Sequence, residues 1–134
     1  MQINQATDYG FRAALYLAGT SGGDLVEAQT IARQEAIPMR YLLKIMPSLI
    51  KAGLVRSQRG VGGGYALARS PHDITLLEIM EAIEGPIRLN RCLVDPDWCS
   101  KGGPPHCKIH QALGAIQVQL SRDLNRYTLA ELLD

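Results

Sequence analysis

A chain of 134 residues, 46% hydrophobic and 20% charged, has apolar material for one compact core and too little for two independent ones. No stretch approaches 18 consecutive apolar residues, and the opening MQINQATDYG lacks the charged start and apolar run of a secretory signal, so a membrane partner is excluded as a reading and a cytoplasmic protein is expected. The net charge of +1 hides an asymmetry: residues 29–69 carry Arg33, Arg40, Lys44, Lys51, Arg56, Arg59 and Arg69 against Glu35 alone, a local balance of +6, whereas the other 93 residues sum to −5. A cationic third of this kind is a footprint for a polyanion.

Met1 to Ile3 suit a short extended lead, and Asn4 suits the N-cap of a helix from about Gln5 to Ala18. Ala6, Tyr9, Ala13 and Leu17 recur at three- and four-residue intervals along it, and Gly19 to Gly23 stop it. Leu25 and Val26 give a brief extended segment before a second helix near Ala28 to Gln34, with Glu35-Ala36-Ile37 as the turn. Pro38 suits the first position of a third helix running towards Ala52, whose buried side is expected to be Leu42, Leu43, Ile45, Met46, Leu49 and Ile50, with Gly53 as its stop. Pro47 is expected to kink or break that helix, because it removes the bond to the Leu43 carbonyl. Arg40 and Lys44 are four apart and share one face, which is the face to set against DNA.

Leu54 to Gln58 and Tyr65 to Ala68 read as strands joined by Arg59-Gly60-Val61-Gly62-Gly63-Gly64. A phosphate-cradling loop would be followed by a helix and usually a Lys-Ser or Lys-Thr pair, and here a strand-like Tyr65-Ala66-Leu67 follows instead. The better reading is a wing. Its tip, with Gly62 and Gly63, brings the backbone close to a groove while Arg59 reaches into it, and Arg33 and Arg56 add to the same cationic surface. Asp73 or Thr75 can cap a fourth helix from about Leu76 to Ile83, closed by Gly85-Pro86. Residues 89–105 show no periodicity. A last long helix is expected from near Pro105 to about Asn125, with Ile109, Ala112, Leu113, Ile116, Leu120 and Leu124 as an apolar stripe suited to pairing with a second copy. Thr128 and Glu131 have capping-box spacing for a final short turn.

All three cysteines lie in or beside that aperiodic loop, spaced as Cys92, six residues, Cys99, seven residues, Cys107, two residues, His110. An odd number so close together is poor material for a disulfide framework. Zinc modules usually use pairs two to four residues apart, whereas iron-sulfur clusters are larger and take thiolates from a loop. Cys107 and His110 would lie at the positive start of the last helix, which stabilises thiolates and an anionic cluster. Zinc, a bare thiol switch and cysteines without chemistry stay open. Trp98 would shield the site or anchor the loop. No paired acid and base and no activated nucleophile point to an enzyme.

The run YLLKIMPSLIKAGLVRSQRGVGGGYALARSP, then ITLLEIMEAIEG, then clustered cysteines before a long helix, resembles the Rrf family of bacterial winged-helix regulators over nearly the whole chain. The RGVGGGY wing and the cysteine cluster are its most specific parts. The resemblance implies a homodimer on a pseudo-palindromic double-stranded DNA operator, with Arg40 and Lys44 on the recognition helix, Arg59 on the wing, and Tyr41 as a phosphate contact or a packing residue. It implies Cys92, Cys99 and Cys107 as ligands of an iron-sulfur cluster. His110 matches the family arrangement that completes a 2Fe-2S site; Asp8 matches another, in which an aspartate of the first helix reaches across from the partner subunit to a 4Fe-4S site. His106 or an exchangeable small molecule also remains open for the fourth position.

The fold expected is therefore mostly α with a small β-hairpin. It comprises a winged helix-turn-helix over 1–85, a cysteine-bearing cluster loop over 86–105, and a dimerisation helix with a C-terminal turn over 106–134. The function expected is transcriptional regulation set by the cluster, through redox, nitric oxide or iron. A cluster-free or zinc- or thiol-switched DNA-binding repressor is the alternative, and an iron-sulfur redox protein a third reading.

Overall fold

Asn4 begins the first helix as its N-cap: its side-chain Oδ1 accepts the backbone N–H of Thr7 at 2.8 Å, satisfying one of the orphan donors of the first turn. The computed structural model describes residues 2–20 and 23–133; Met1 of the extended lead and residues 21 and 22 of the expected glycine stop lie outside the described residues. Among the described residues six α-helices and one hairpin follow in the order α1 (Gln5–Ala18), α2 (Ala28–Gln34), α3 (Met39–Lys51), β1 (Val55–Gln58), β2 (Gly64–Leu67), α4 (Leu76–Glu84), α5 (Lys108–Arg126) and α6 (Leu129–Leu132). Single turns of 3-10 helix at Arg91–Leu93 and Pro96–Trp98 punctuate the loop between α4 and α5.

One core joins α1 through α4, the hairpin and α6. Ala13, Ala14 and Leu17 of α1, Ile31 of α2, and Leu42, Ile45, Met46 and Leu49 of α3 close over Leu54, Val55, Ile74 and Ile79. Thr7, fully buried, donates its hydroxyl to the Glu84 carboxylate and so ties α1 to the end of α4. The turn between α2 and α3 is tight: Ile37 N–H reaches the Ala32 carbonyl at 2.9 Å, and Ala36 takes a left-handed φ of 54° to allow it.

Three details of α3 differ from expectation. Pro38 is the N-cap and Met39 the first helical residue. Pro47 does not break the helix, which runs on to Lys51. The ring faces solvent, and so does Leu43, whose carbonyl loses its partner; water can meet that carbonyl while the four buried apolar side chains hold the helix in register. Leu43, expected on the buried side, is 50% exposed, and Ile50 is only half-buried.

The hairpin pairs Val55 with Leu67, Arg56 with Ala66, Ser57 with Tyr65 and Gln58 with Gly64, antiparallel. Val26 adds a third edge, exchanging two 2.8 Å backbone bonds with Tyr65, as its extended sequence suggested. Gly64 makes this possible: its φ is 151°, and a Cβ there would lie 2.4 Å from the Val26 carbonyl oxygen.

Thr75, not Asp73, caps α4, accepting the Glu78 N–H at 3.2 Å. Its hydroxyl donates to Asn125 Oδ1 at 2.9 Å, near the end of α5. Leu129 N–H donates to the Ile74 carbonyl at 2.9 Å, and the Leu129 side chain, 1% exposed, sits in the same core. The capping box is present as well: Thr128 Oγ1 accepts the Glu131 N–H at 3.2 Å.

The long helix starts at Lys108, three residues later than expected, because Cys107 and not Pro105 supplies the cap: the Cys107 Sγ accepts the His110 N–H at 3.5 Å. No residue of α5 is buried. Its apolar stripe divides: Leu113, Leu120 and Leu124 are half-buried, with Leu120 and Leu124 lining an apolar cavity of about 430 Å³ beside Ile3, Met80 and Ile87, whereas Ile109 and Ile116 are 68% and 55% exposed. No helix among the described residues is long and apolar enough to cross a membrane.

Candidate nucleic-acid interface and cysteine cluster

The cationic side chains of the middle third reach the surface from three elements. Arg33 is exposed in the last turn of α2, Arg40 and Lys44 on α3, and Arg59 where β1 passes into the wing tip. Among the described residues the ion pairs are Arg12 with Asp8 and Arg69 with Glu78, so Arg69 is neutralised while Arg33, Arg40, Lys44 and Arg59 carry uncompensated charge. Such charges raise the local potential for a polyanion.

Tyr41 packs without being buried. Its ring lies 5.9 Å from that of Tyr9, and the Arg40 guanidinium covers it at 4.9 Å, yet the residue stays exposed. Arg56 has a structural partner, donating to the Gly23 carbonyl at 3.0 Å and fastening the hairpin to the segment before α2. In the wing tip, Gly63 N–H closes a turn onto the Gly60 carbonyl at 3.0 Å with Gly62 at φ 77°. A Cβ on Gly63 would lie 2.2 Å from the Gln58 carbonyl oxygen, so only glycine keeps this tip narrow. Val61, fully exposed between the glycines, escaped notice in the sequence because a lone valine in a glycine run carries no periodic signal.

The cysteine loop gathers its donors about the N-terminus of α5. The His110 Nδ1 lies 3.2 Å from the Cys92 Sγ, and Cys92 is buried. The point a Cβ on Gly103 would occupy lies 3.5 Å from the Cys107 Sγ and 3.8 Å from the Cys99 Sγ, so both sulfurs crowd the same bare stretch of backbone. Backbone N–H groups of Gly103, Lys101 and Gly102, Gly103 foremost, hold the Cys99 thiol below its ordinary pKa. Gly103, legible in the sequence only as part of the Gly102-Gly103-Pro104-Pro105 turn material, is what lets the backbone approach the sulfurs, since a Cβ there would lie 2.9 Å from the Cys107 Cβ.

Among the described residues no three His, Cys, Asp or Glu side chains are gathered closely enough to hold one metal ion. His106 is exposed. Asp8 is bound to Arg12 within its own helix, which also donates to the Glu35 carbonyl at 3.1 Å. Trp98 is 52% exposed and stacks under the Arg91 guanidinium at 4.7 Å. The stack joins two turns of the same loop, and nothing in the sequence singled out Arg91 as its partner.

Fold and surface together define a winged helix-turn-helix with a cationic face. The family whose profile matches, over residues 3–134, is Rrf2, described as an iron-dependent transcriptional regulator, and the chain belongs to that family. Among solved structures it is similar to T. potens IscR, at 28% identity over 98% of this chain and 85% of that one, with a TM-score of 0.72. It is also similar to CymR, the global cysteine regulator of B. subtilis, at 25% identity over 98% and 95% of the two chains and a TM-score of 0.78. The oxidized form of Staphylococcus aureus CymR matches at 26% identity over 100% and 99%, with a TM-score of 0.76.

Proposed function

We propose that this Rrf2-family transcriptional regulator acts in the cytoplasm as a homodimer on a double-stranded DNA operator, with an affinity set by an iron-sulfur cluster. The observation that carries this reading is the gathering of donors about the N-terminus of α5, where His110 Nδ1 lies against the Cys92 Sγ and the Cys99 and Cys107 sulfurs both border Gly103. A single metal ion needs its ligands around one point, which is not how these donors stand. A polynuclear iron-sulfur cluster accepts more widely spread donors, and Cys92, Cys99, Cys107 and His110 would hold a 2Fe-2S centre. Asp8 is the less favoured fourth ligand, since Arg12 already holds its carboxylate. When bound, the group supplies a cross-link that oxidation, nitric oxide or iron shortage can break.

The residues then divide the work. The head over 1–85 presents Arg40, Tyr41 and Lys44 to a major groove, and Arg59 with the Gly62-Gly63 tip to the adjacent minor groove, with Arg33 and Arg56 flanking. The loop over 86–105 holds the ligands. The helix over 106–134 pairs the subunits through its exposed Ile109, Ile116 and Val118, while Leu129 returns to the head. Because Thr75 is bonded to Asn125 and Leu129 is buried in the head, a shift of α5 is passed to the reading surface. Half-sites about 34 Å apart tolerate little change in the angle between two heads.

One observation favours a second reading. Cys99 is half-buried and inclined to the thiolate, which suits a thiol switch without a cluster. Anaerobic purification followed by iron and sulfide analysis separates the two. Stoichiometric iron and sulfide, lost in Cys92→Ala, Cys99→Ala and Cys107→Ala, is the expected result; protein free of both after reconstitution would leave the thiol switch.

A further inference from the structure

A Cβ on Gly103 would meet, beyond its immediate chain neighbours, the Cys107 Cβ at 2.9 Å, the Cys107 Sγ at 3.5 Å and the Cys99 Sγ at 3.8 Å. All three are cysteine atoms, so the glycine keeps the space that both sulfurs border free of a side chain. Cys99 and Cys107 are half-buried and within reach of small solutes. Cys92 differs from them, being 8% exposed with the His110 Nδ1 3.2 Å from its sulfur. Cys107 is fixed as the cap of α5, whereas Cys99 opens a turn in which the Gly102 N–H meets its carbonyl at 3.0 Å and Gly102 takes a φ of 63°. The sulfur free to move is that of Cys99.

A disulfide needs its sulfurs about 2.05 Å apart, and glycines at 102 and 103 give the backbone the freedom to bring Cys99 across. We infer that peroxides join Cys99 and Cys107 into a reversible disulfide in the metal-free protein and leave Cys92 a thiol. The Cys99 thiolate attacks one oxygen of the peroxide, the O–O bond breaks, the other oxygen leaves as hydroxide or alkoxide, and Cys99 becomes a sulfenic acid. The Cys107 thiolate then attacks that sulfur and expels hydroxide, which is protonated to water. The two thiols lose two electrons, and the peroxide gains them. A small thiol reverses the bond through a mixed disulfide, two of its molecules ending as one disulfide. Resting on the cluster reading above, the bond also takes two of the ligands out of use, so the protein stays metal-free until a thiol opens it.

The test uses full-length protein stripped of metal by anaerobic chelation and treated with hydrogen peroxide. Remaining thiols are alkylated in urea with iodoacetamide, and the chain is digested with trypsin without reduction. Cleavage after Arg91, Lys101 and Lys108 releases Cys92 and Cys99 in one peptide and Cys107 in another. Mass spectrometry is expected to find the two peptides linked, with fragmentation placing the bond on Cys99 and the alkyl group on Cys92. Dithiothreitol should release them.

Cys92→Ser should form the same bond, and Cys99→Ser and Cys107→Ser should lose it; serine also caps helices, so Cys107→Ser keeps the start of α5. Protein oxidised in urea supplies the control, because gaps of similar length on either side of Cys99 then offer it Cys92 or Cys107, and a mixture of links is expected. The same mixture from folded protein, a bond between Cys92 and Cys99, links only between subunits, or sulfinic acid without any link overturns the assignment. Reduced protein that takes up no iron and sulfide overturns the cluster reading alone, since the bond is mapped in metal-free protein.

Discussion

Pro47→Ala should stabilise the protein. Alanine is about 3 kcal/mol more favourable than proline inside a helix. The fold has already absorbed part of that difference, because the ring is exposed and the Leu43 carbonyl that it orphans stands on the solvent side, where water replaces a bond worth about 1 kcal/mol net. About 2 kcal/mol remains. With an unfolding entropy of roughly 2.1 cal/mol/K per residue over 134 residues, the melting temperature should rise by about 7 °C. Urea unfolding followed by circular dichroism checks this: the midpoint should move up with the slope unchanged. A midpoint that stays or falls would refute the reasoning, and would mean that the proline's shape is needed by the packing of Leu42, Ile45, Met46 and Leu49.

Leu129→Ala should cost about 2 to 5 kcal/mol by the same assay, as for other buried leucines; a loss below about 0.5 kcal/mol would detach the C-terminal turn from the core of the head. Arg59→Ala should weaken operator binding with the oligomeric state unchanged in sedimentation, and should flatten the salt dependence by about one unit of slope per subunit; unaltered binding would remove the wing from recognition. In metal-free protein, alkylation of Cys99 by iodoacetamide, followed by mass spectrometry, should reach half its maximal rate at a lower pH than for an unfolded peptide. A depressed thiol pKa contributes stability above the ordinary thiol value that is lost as pH falls through the folded value, so stability should decline in that direction; a midpoint at or above the peptide's would exclude the backbone N–H contacts as the cause.

The caps were legible because they are chemical: Asn4, Thr75 and Thr128 stand before apolar periodic runs, and each accepts the expected N–H. The wing was legible from glycine content between two strand-like runs. Leu43 was misassigned because apolarity was allowed to decide its side, although a residue next to Leu42 lies about 100° around the helix and faces away from it. The start of α5 was misplaced because prolines usually mark that position, whereas a thiol acts as the cap here. The contact of Cys92 with His110, and the approach of the Cys99 and Cys107 sulfurs to Gly103, arise in a loop of 3-10 turns and a glycine-proline run that have no period to read.

The proposed control of DNA binding by an iron-sulfur cluster is tested most directly by titrating one selected duplex with iron- and sulfide-reconstituted protein and with the same preparation after chelation, anaerobically and at fixed salt. Coupling between two sites usually amounts to about 5- to 150-fold in affinity, and a difference within that range, abolished in Cys92→Ala, is the expected result. Equal affinities for the loaded and stripped protein would contradict it.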